Sequence, residues 1–179
     1  MVNEEYIVQQ AVNGNQTAFT QLYDMYFDRI YRYIYVRLRR QDEAQDLTQE
    51  VFIKALKAIG SYKIGKTPFA SWLFRIAHNQ VIDHVRKRKK GTETSLDEVP
   101  PTVGCEDPVT MIEQKFEVAQ LNAAVMELSP AQKEVISLRF IADLPIADVA
   151  RILGKSEGTV KALQFAGTAS LRKLLMGKI

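Results

Sequence analysis

Only one cysteine, Cys105, occurs in the 179 residues, which excludes an intramolecular disulfide and suits a reducing compartment. No apolar run approaches the roughly 20 residues that span a bilayer. The opening MVNEEYIVQQ is acidic and amphipathic, unlike the basic-then-apolar order of a secretory signal. These absences predict a soluble cytoplasmic chain with no membrane insertion. The GxxxxGKS/T phosphate loop and the nucleophile elbow are both missing, so no cofactor and no enzymatic chemistry are expected. Strand patterning and internal repeats are missing too, which leaves an all-α fold.

Net charge is small: 24 Lys+Arg against 21 Asp+Glu gives +3. The distribution is uneven. Residues 63–90 carry Lys63, Lys66, Arg75, Arg86, Lys87, Arg88, Lys89 and Lys90 against the single acid Asp83. That stretch is +7, so the remainder is −4, and a local polyanion partner is expected.

Apolar spacing predicts the helices. A short one runs from Tyr6 to Val12 and stops at Asn13-Gly14-Asn15. Thr17 to Arg39 repeats Phe19, Leu22, Tyr23, Tyr26, Phe27, Ile30 and Ile34 on one face. Asp42 to Ile59 does so through Leu47, Val51, Phe52, Ala55, Leu56 and Ile59, and Gly60 ends it. After the loop Ser61–Thr67, Thr67 as N-cap and Pro68 in the first turn open a helix with core residues Phe69, Trp72, Leu73, Ile76 and Ala77. Four such helices make one bundle over residues 1–90.

Residues 91–107 lose helical periodicity and are acidic, a flexible linker. Pro108 restarts a helix whose Ile112, Phe116, Ala119, Ala123 and Met126 share one side. Ser129-Pro130-Ala131-Gln132 reads as a capping box opening a helix through about Phe140. Pro145 to Leu153, then Gly154-Lys155, then a helix capped by Ser156 and reaching about Met176 give a helix-turn-helix within a second domain, 108–179.

In the basic helix, Arg75, Asn79, Arg86 and Lys90 share a face expected to lie opposite Trp72 and Leu73. Arginine and lysine neutralise phosphates, and an asparagine amide can read a base edge. The plainer reading is a solvated basic run complementing the negative helix end, which accounts for Lys87 to Lys90 but not for Asn79. In the later helix, Ser156, Glu157, Gly158, Thr159, Lys161 and Gln164 are the candidates for the major groove. His78 and His84, six apart, lie about 120° away from a shared face and have no other ligand at metal spacing, so no metal is expected. Both are expected to be exposed polar positions beside DNA or solvent. The acids Asp42, Glu43, Asp46 and Glu50 complement the positive start of their helix and offer a docking surface.

These motifs resemble the extracytoplasmic-function (ECF) sigma factors. Asp42-Glu43-Ala44-Gln45-Asp46-Leu47-Thr48-Gln49-Glu50-Val51-Phe52 is similar to region 2.2. Phe69-Ala70-Ser71-Trp72-Leu73-Phe74-Arg75-Ile76-Ala77-His78-Asn79 is similar to regions 2.3–2.4. Leu128-Ser129-Pro130 through Leu174, including Ser156-Glu157-Gly158-Thr159-Val160-Lys161, resembles region 4.

The resemblance implies a promoter-recognition subunit of RNA polymerase, not an enzyme, that also assists promoter opening. Asp42, Asp46, Gln49 and Glu50 would dock on the core enzyme, at the β′ coiled coil, with the β subunit also a partner. The loop Ser61–Thr67 with Tyr62 and Lys63, together with Asn79, would capture a base flipped from the minus-ten element. Tyr62 would stack on it, and Arg86 to Lys90 would hold the backbone. Region 4 would read the minus-thirty-five element, and an anti-sigma factor would cover both domains. The acidic residues from Glu93 to Glu113 would thread the polymerase's RNA path. One departure is plain: after Lys161 come Ala162, Leu163, Gln164, Phe165, Ala166, Gly167 and Thr168, where the family usually has several basic residues. Mid-helix Gly167 should cost about 1 kcal/mol relative to alanine. A free-standing helix-turn-helix regulator and a helical interaction module without a DNA role remain as alternatives.

Overall fold

The computed structural model describes residues 3–91 and 108–177, with side chains in the second stretch from 117 onward. The chain divides into two compact units, Met1–Leu38 with Asp42–Ser95 and Arg39–Gln41 with Leu96–Ile179. All regular elements among the described residues are helical.

The first unit contains α1 (Glu4–Val12), α2 (Gln16–Leu38), α3 (Gln41–Ala58) and α4 (Phe69–Lys90), with a 3₁₀ turn at Ile59–Ser61. Asn3 caps α1 by accepting from the Glu5 amide, supplying a partner for one of the amides left open at a helix start. Helix α1 packs on α2 and on the 3₁₀ turn, and α2 packs on α4. The core is Leu22, Ile30, Tyr33 and Ile34 of α2, Val51 and Ala55 of α3, and Leu73, Phe74, Ala77 and Val81 of α4.

Three local expectations change. Leu56 is exposed, not buried, as is Ile53; the inner face of α3 is Ala44, Leu47, Thr48, Val51, Phe52 and Ala55, and Leu56 falls just past its edge. Pro68, not Thr67, occupies the position before α4 and makes no side-chain cap. Phe74 belongs to the core, where its ring meets Tyr33 edge-on at 5.7 Å.

The second unit contains α5 (Pro108–Met126), α6 (Pro130–Ile136), a π-helical turn at Ser137–Ile141, α7 (Ile146–Leu153) and α8 (Glu157–Met176). The Ser129–Gln132 capping box forms as read from the sequence. Helix α7 ends on Gly154 at φ 62°, the left-handed conformation that costs glycine little. Helices α5, α6 and α7 all pack on α8. Among the described side chains of α5, Ala124 and Val125 are buried, whereas Ala119, Ala123 and Met126, expected on the inner side, are exposed. The side chains of Ile112 and Phe116, together with Cys105 and the acidic linker, lie outside what is described.

Gly167 also changes meaning. A Cβ there would lie 2.9 Å from Ile136 Cγ1, so glycine lets α8 and α6 approach closely, and the helix-propensity cost is offset by packing.

Candidate nucleic-acid interface

On α4, Leu73, Phe74, Ala77, Val81 and the half-buried Ile76 form the inner side, while Arg75, Asn79 and Arg86 to Lys90 are exposed. Trp72 does not lie opposite them. At 100° per residue, the seven residues to Asn79 return to within about 20° of the same direction, and Trp72 is half-buried at the edge of the polar face. Arg86 donates to Asp83 at 3.0 Å, and Arg88 lies 3.8 Å from Glu43 of α3. Exposed ion pairs of this kind contribute little stability and leave the helix end strongly positive.

Beside this face the loop after α3 turns at Lys63–Lys66, where the Lys66 amide donates to the Lys63 carbonyl at 3.3 Å and Gly65 takes φ 79°. Ser61, Tyr62, Lys63, Lys66, Thr67 and Trp72 line an open cavity of about 190 Å³. Lys63 and Lys66 are exposed.

Tyr62 is not an open stacking platform: it is only 9% exposed. Its ring packs on Phe69 and Trp72, with centroids at 5.8 and 5.2 Å, and its hydroxyl donates to the Thr67 carbonyl. Burial, and secondarily the charge of Glu4, push the phenol's pKa up. The aromatic residue presented at the cavity's edge is Trp72.

The histidines are also placed differently from expectation. His78 is buried, with Nδ1 3.2 Å from the Tyr33 hydroxyl. His84 is half-buried, with Nε2 2.9 Å from Glu43 Oε2. Both tie α4 to neighbouring helices: His78 lies on the inner side with Ala77 and Val81, and His84 sits at its edge, partly open to solvent. Among the described residues, no group of three or more His, Cys, Asp or Glu is arranged to hold a metal ion. Nor does any described helix have the length and apolarity to cross a membrane.

On α3, Asp42, Asp46, Gln49 and Glu50 are all exposed. Glu50 accepts from the Gln80 amide at 3.3 Å, and Gln80 Oε1 in turn accepts from Lys54 at 2.5 Å. The strip Asp42, Asp46, Gln49 continues at helical spacing into exposed Ile53 and Leu56. Sequence reading assigned Leu56 to the core and missed Ile53; their spacing of seven and four residues from Gln49 is the signal that places them on the acidic face.

In the second unit, Ser156 Oγ accepts from the Thr159 amide at 3.1 Å and lies 2.8 Å from Thr159 Oγ1. Ser156 is thus occupied as an N-cap, and Glu157, Gly158, Thr159 and Lys161 are exposed on the first turns. Gln164 is not on that surface: it is half-buried, and its Oε1 accepts from Arg139 Nε at 2.8 Å. Phe165 takes the outward position instead, 78% exposed, in line with Gly158, Lys161, Ala162, Ala169 and Arg172. In the sequence, this position stands out only by the absence of a basic residue.

Comparison with known proteins follows the same division. The family described as Sigma-70 region 2 matches residues 22–91, and that described as Sigma-70, region 4 matches residues 124–173. The chain is 38% identical over 170 residues to the ECF RNA polymerase sigma factor BldN of Streptomyces coelicolor, covering 94% of this chain and 64% of that protein. It is 35% identical over 182 residues to the ECF RNA polymerase sigma factor SigW of Bacillus subtilis, covering 94% of each. Among solved structures, CnrH in complex with the cytosolic domain of CnrY aligns over 98% of this chain and 99% of that one, at a TM-score of 0.76 and 23% identity, a likeness of fold. The sigma factor RpoE in complex with the anti-sigma factor NepR, from Bartonella quintana, aligns over 88% and 96%, at 0.69 and 25% identity.

Proposed function

Since the chain belongs to the ECF RNA polymerase sigma factors, we propose that it binds core polymerase in the cytoplasm, directs it to specific promoters and helps open them. The observation that carries this reading is the exposed polar face of α4, Arg75 and Asn79 leading into Arg86–Lys90, beside a lysine-bearing loop cavity. Synthesis of RNA belongs to the polymerase, and this chain contributes sequence choice.

In the minus-ten step, a base must leave the stack before its pairing edge can be read, at a cost of a few kcal/mol. The cavity bounded by Lys63, Lys66, Thr67 and Trp72 is a receptor of suitable character. Asn79 supplies a donor and an acceptor for a base edge, Arg75 and the cluster Arg86, Lys87, Arg88 and Lys90 hold phosphates, and Trp72 offers an aromatic edge. Helix α8 enters the minus-thirty-five major groove with Glu157, Gly158, Thr159 and Lys161, while Ser156 holds its first turn.

Asp42, Asp46, Gln49 and Glu50, extended by Ile53 and Leu56, dock on the β′ coiled coil. An acidic strip with an apolar end fits a basic and apolar helical partner. The acidic residues from Glu93 to Glu113 suit the basic RNA path near the β subunit. An anti-sigma factor is a further partner, as for the Bartonella quintana relative. A free-standing regulator is not favoured.

Run-off transcription with purified core polymerase and a genomic promoter pool tests the reading. Promoter-specific transcripts that require this chain, and that weaken or change with Asn79→Ala, are expected. Failure to bind core polymerase or to redirect transcription would refute it.

A further inference from the structure

The loop at the proposed base pocket is held by a side chain that is itself almost wholly buried, its hydroxyl turned to the loop's own backbone. Tyr62 stands at its start and Thr67 at its end. The Tyr62 hydroxyl donates to the Thr67 carbonyl, closing a short ring of chain around Lys63, Ile64, Gly65 and Lys66. Within that ring the backbone is joined to itself by a long bond from the Lys66 amide to the Lys63 carbonyl, 3.3 Å. Lys63, Ile64, Gly65 and Lys66 are exposed, so packing does little to fix them.

The clasp itself is anchored. Tyr62 packs on Phe69 and Trp72, and Phe69 meets Tyr26 of α2 at 5.5 Å. Tyr26 in turn donates to Glu4 of α1 at 2.7 Å. A chain of rings therefore connects the first residues of α1 and the middle of α2 to the loop. An exposed segment of this length samples many conformations unless tethered, and a site that discriminates bases needs its donors held near their working geometry.

We infer that Tyr62 is a positioning residue that fixes the loop 62–67 for base capture through its bond to the Thr67 carbonyl. It acts on which base is accepted, and neither on docking to core polymerase nor on general DNA affinity. This rests on the base-capture reading above.

The test uses the full chain assembled with core polymerase and a promoter fragment whose minus-ten element is randomised, with open complexes recovered and sequenced. Tyr62→Phe keeps the ring and removes the hydroxyl. The preferred base at the captured position is expected to lose about fivefold in enrichment, the scale of one lost hydrogen bond, while core binding and enrichment at the upstream element stay unchanged. A control, Val51→Ala, lowers the stability of the same unit through its core while keeping the clasp, and its base preference should match wild type. An unchanged preference in Tyr62→Phe, or equal flattening in Val51→Ala, overturns the clasp. A wild-type holoenzyme with no minus-ten preference at all would remove the base-capture reading itself, and the clasp with it.

Discussion

The first unit and the second are both helical, but they are built and surfaced with different material. In the first, rings fill the space between long helices, and polar side chains tie the helices across their length. Tyr33 meets Phe74 and His78, Gln80 joins Glu50 to Lys54, and His84 meets Glu43. In the second, shorter helices meet by the absence of a side chain, Gly167 against Ile136. The outer surfaces differ in the same sense. Helix α4 ends in four consecutive basic residues after Arg86, whereas α8 presents an exposed Phe165 between Lys161 and Arg172. A charge-rich surface holds DNA firmly but without regard to sequence and releases it in salt. A surface with little charge must rely on fit. On the proposed reading, the two units would divide affinity and selectivity unequally.

The largest expected effect probes that division directly. Replacing Arg86, Lys87, Arg88 and Lys90 together by Gln should weaken duplex binding of the full chain about a hundredfold at low salt and flatten its salt slope by roughly 3–4. Lys161→Gln should lower the slope by only about 1. Titrations at several salt concentrations measure both, and similar slopes for the two variants would break the comparison.

A smaller effect tests the packing contrast. Gly167→Ala gains helix propensity but drives a methyl into Ile136, so thermal denaturation should show a net loss of about 1–3 kcal/mol. Gly65→Ala in the first unit has nothing within 4 Å of the new Cβ, and its positive φ alone should cost about 1–2 kcal/mol. A stabilised Gly167→Ala variant would mean that α6 yields easily and that the close approach is incidental.

Helix positions, the Ser129 capping box, the Gly154 turn and the Ser156 cap were legible in the sequence because each rests on a local signal: apolar period, side-chain reach or a tolerated positive φ. The misplacements share another cause. Tyr62, His78 and Gln164 are polar or amphipathic residues whose partners, Thr67, Tyr33 and Arg139, are supplied by the folded chain. Periodicity does not announce such partners. Gly167 was misread for the same reason: its value lies in Ile136 of another helix. Trp72 is different, since helical arithmetic alone places it on the polar side of α4. Ile53 and Leu56 were hidden by being apolar, although their spacing from Gln49 was visible throughout.

Phe165→Ala should leave the melting temperature nearly unchanged, within about 0.5 kcal/mol, because the ring is exposed. If the ring touches thymine methyl groups or sugars in the upstream groove, upstream-element binding by the holoenzyme should fall about three- to tenfold with little change in salt slope. Unaltered upstream binding in a footprinting titration would show that fit on α8 is supplied by its first turns alone.

The smallest effect appears at alkaline pH and belongs to the first unit. Burial, then the bond to Glu4 and that carboxylate's charge, raise the Tyr26 pKa above its ordinary 10.0, with Arg29 acting weakly in the opposite direction. Above pH 10 the unfolded chain loses this proton while the folded chain keeps it. The folded state then binds more protons, and stability must fall as pH rises. Below pH 10 both states hold the proton and the term is flat. Tyr26→Phe removes the titration, so its melting midpoint should decline less steeply between about pH 9.5 and 11, by roughly 2 °C relative to wild type. Parallel declines would mean that Tyr26 ionises as readily in the folded unit as in the unfolded chain, and that the ring chain from Glu4 to Tyr62 is looser than its geometry indicates.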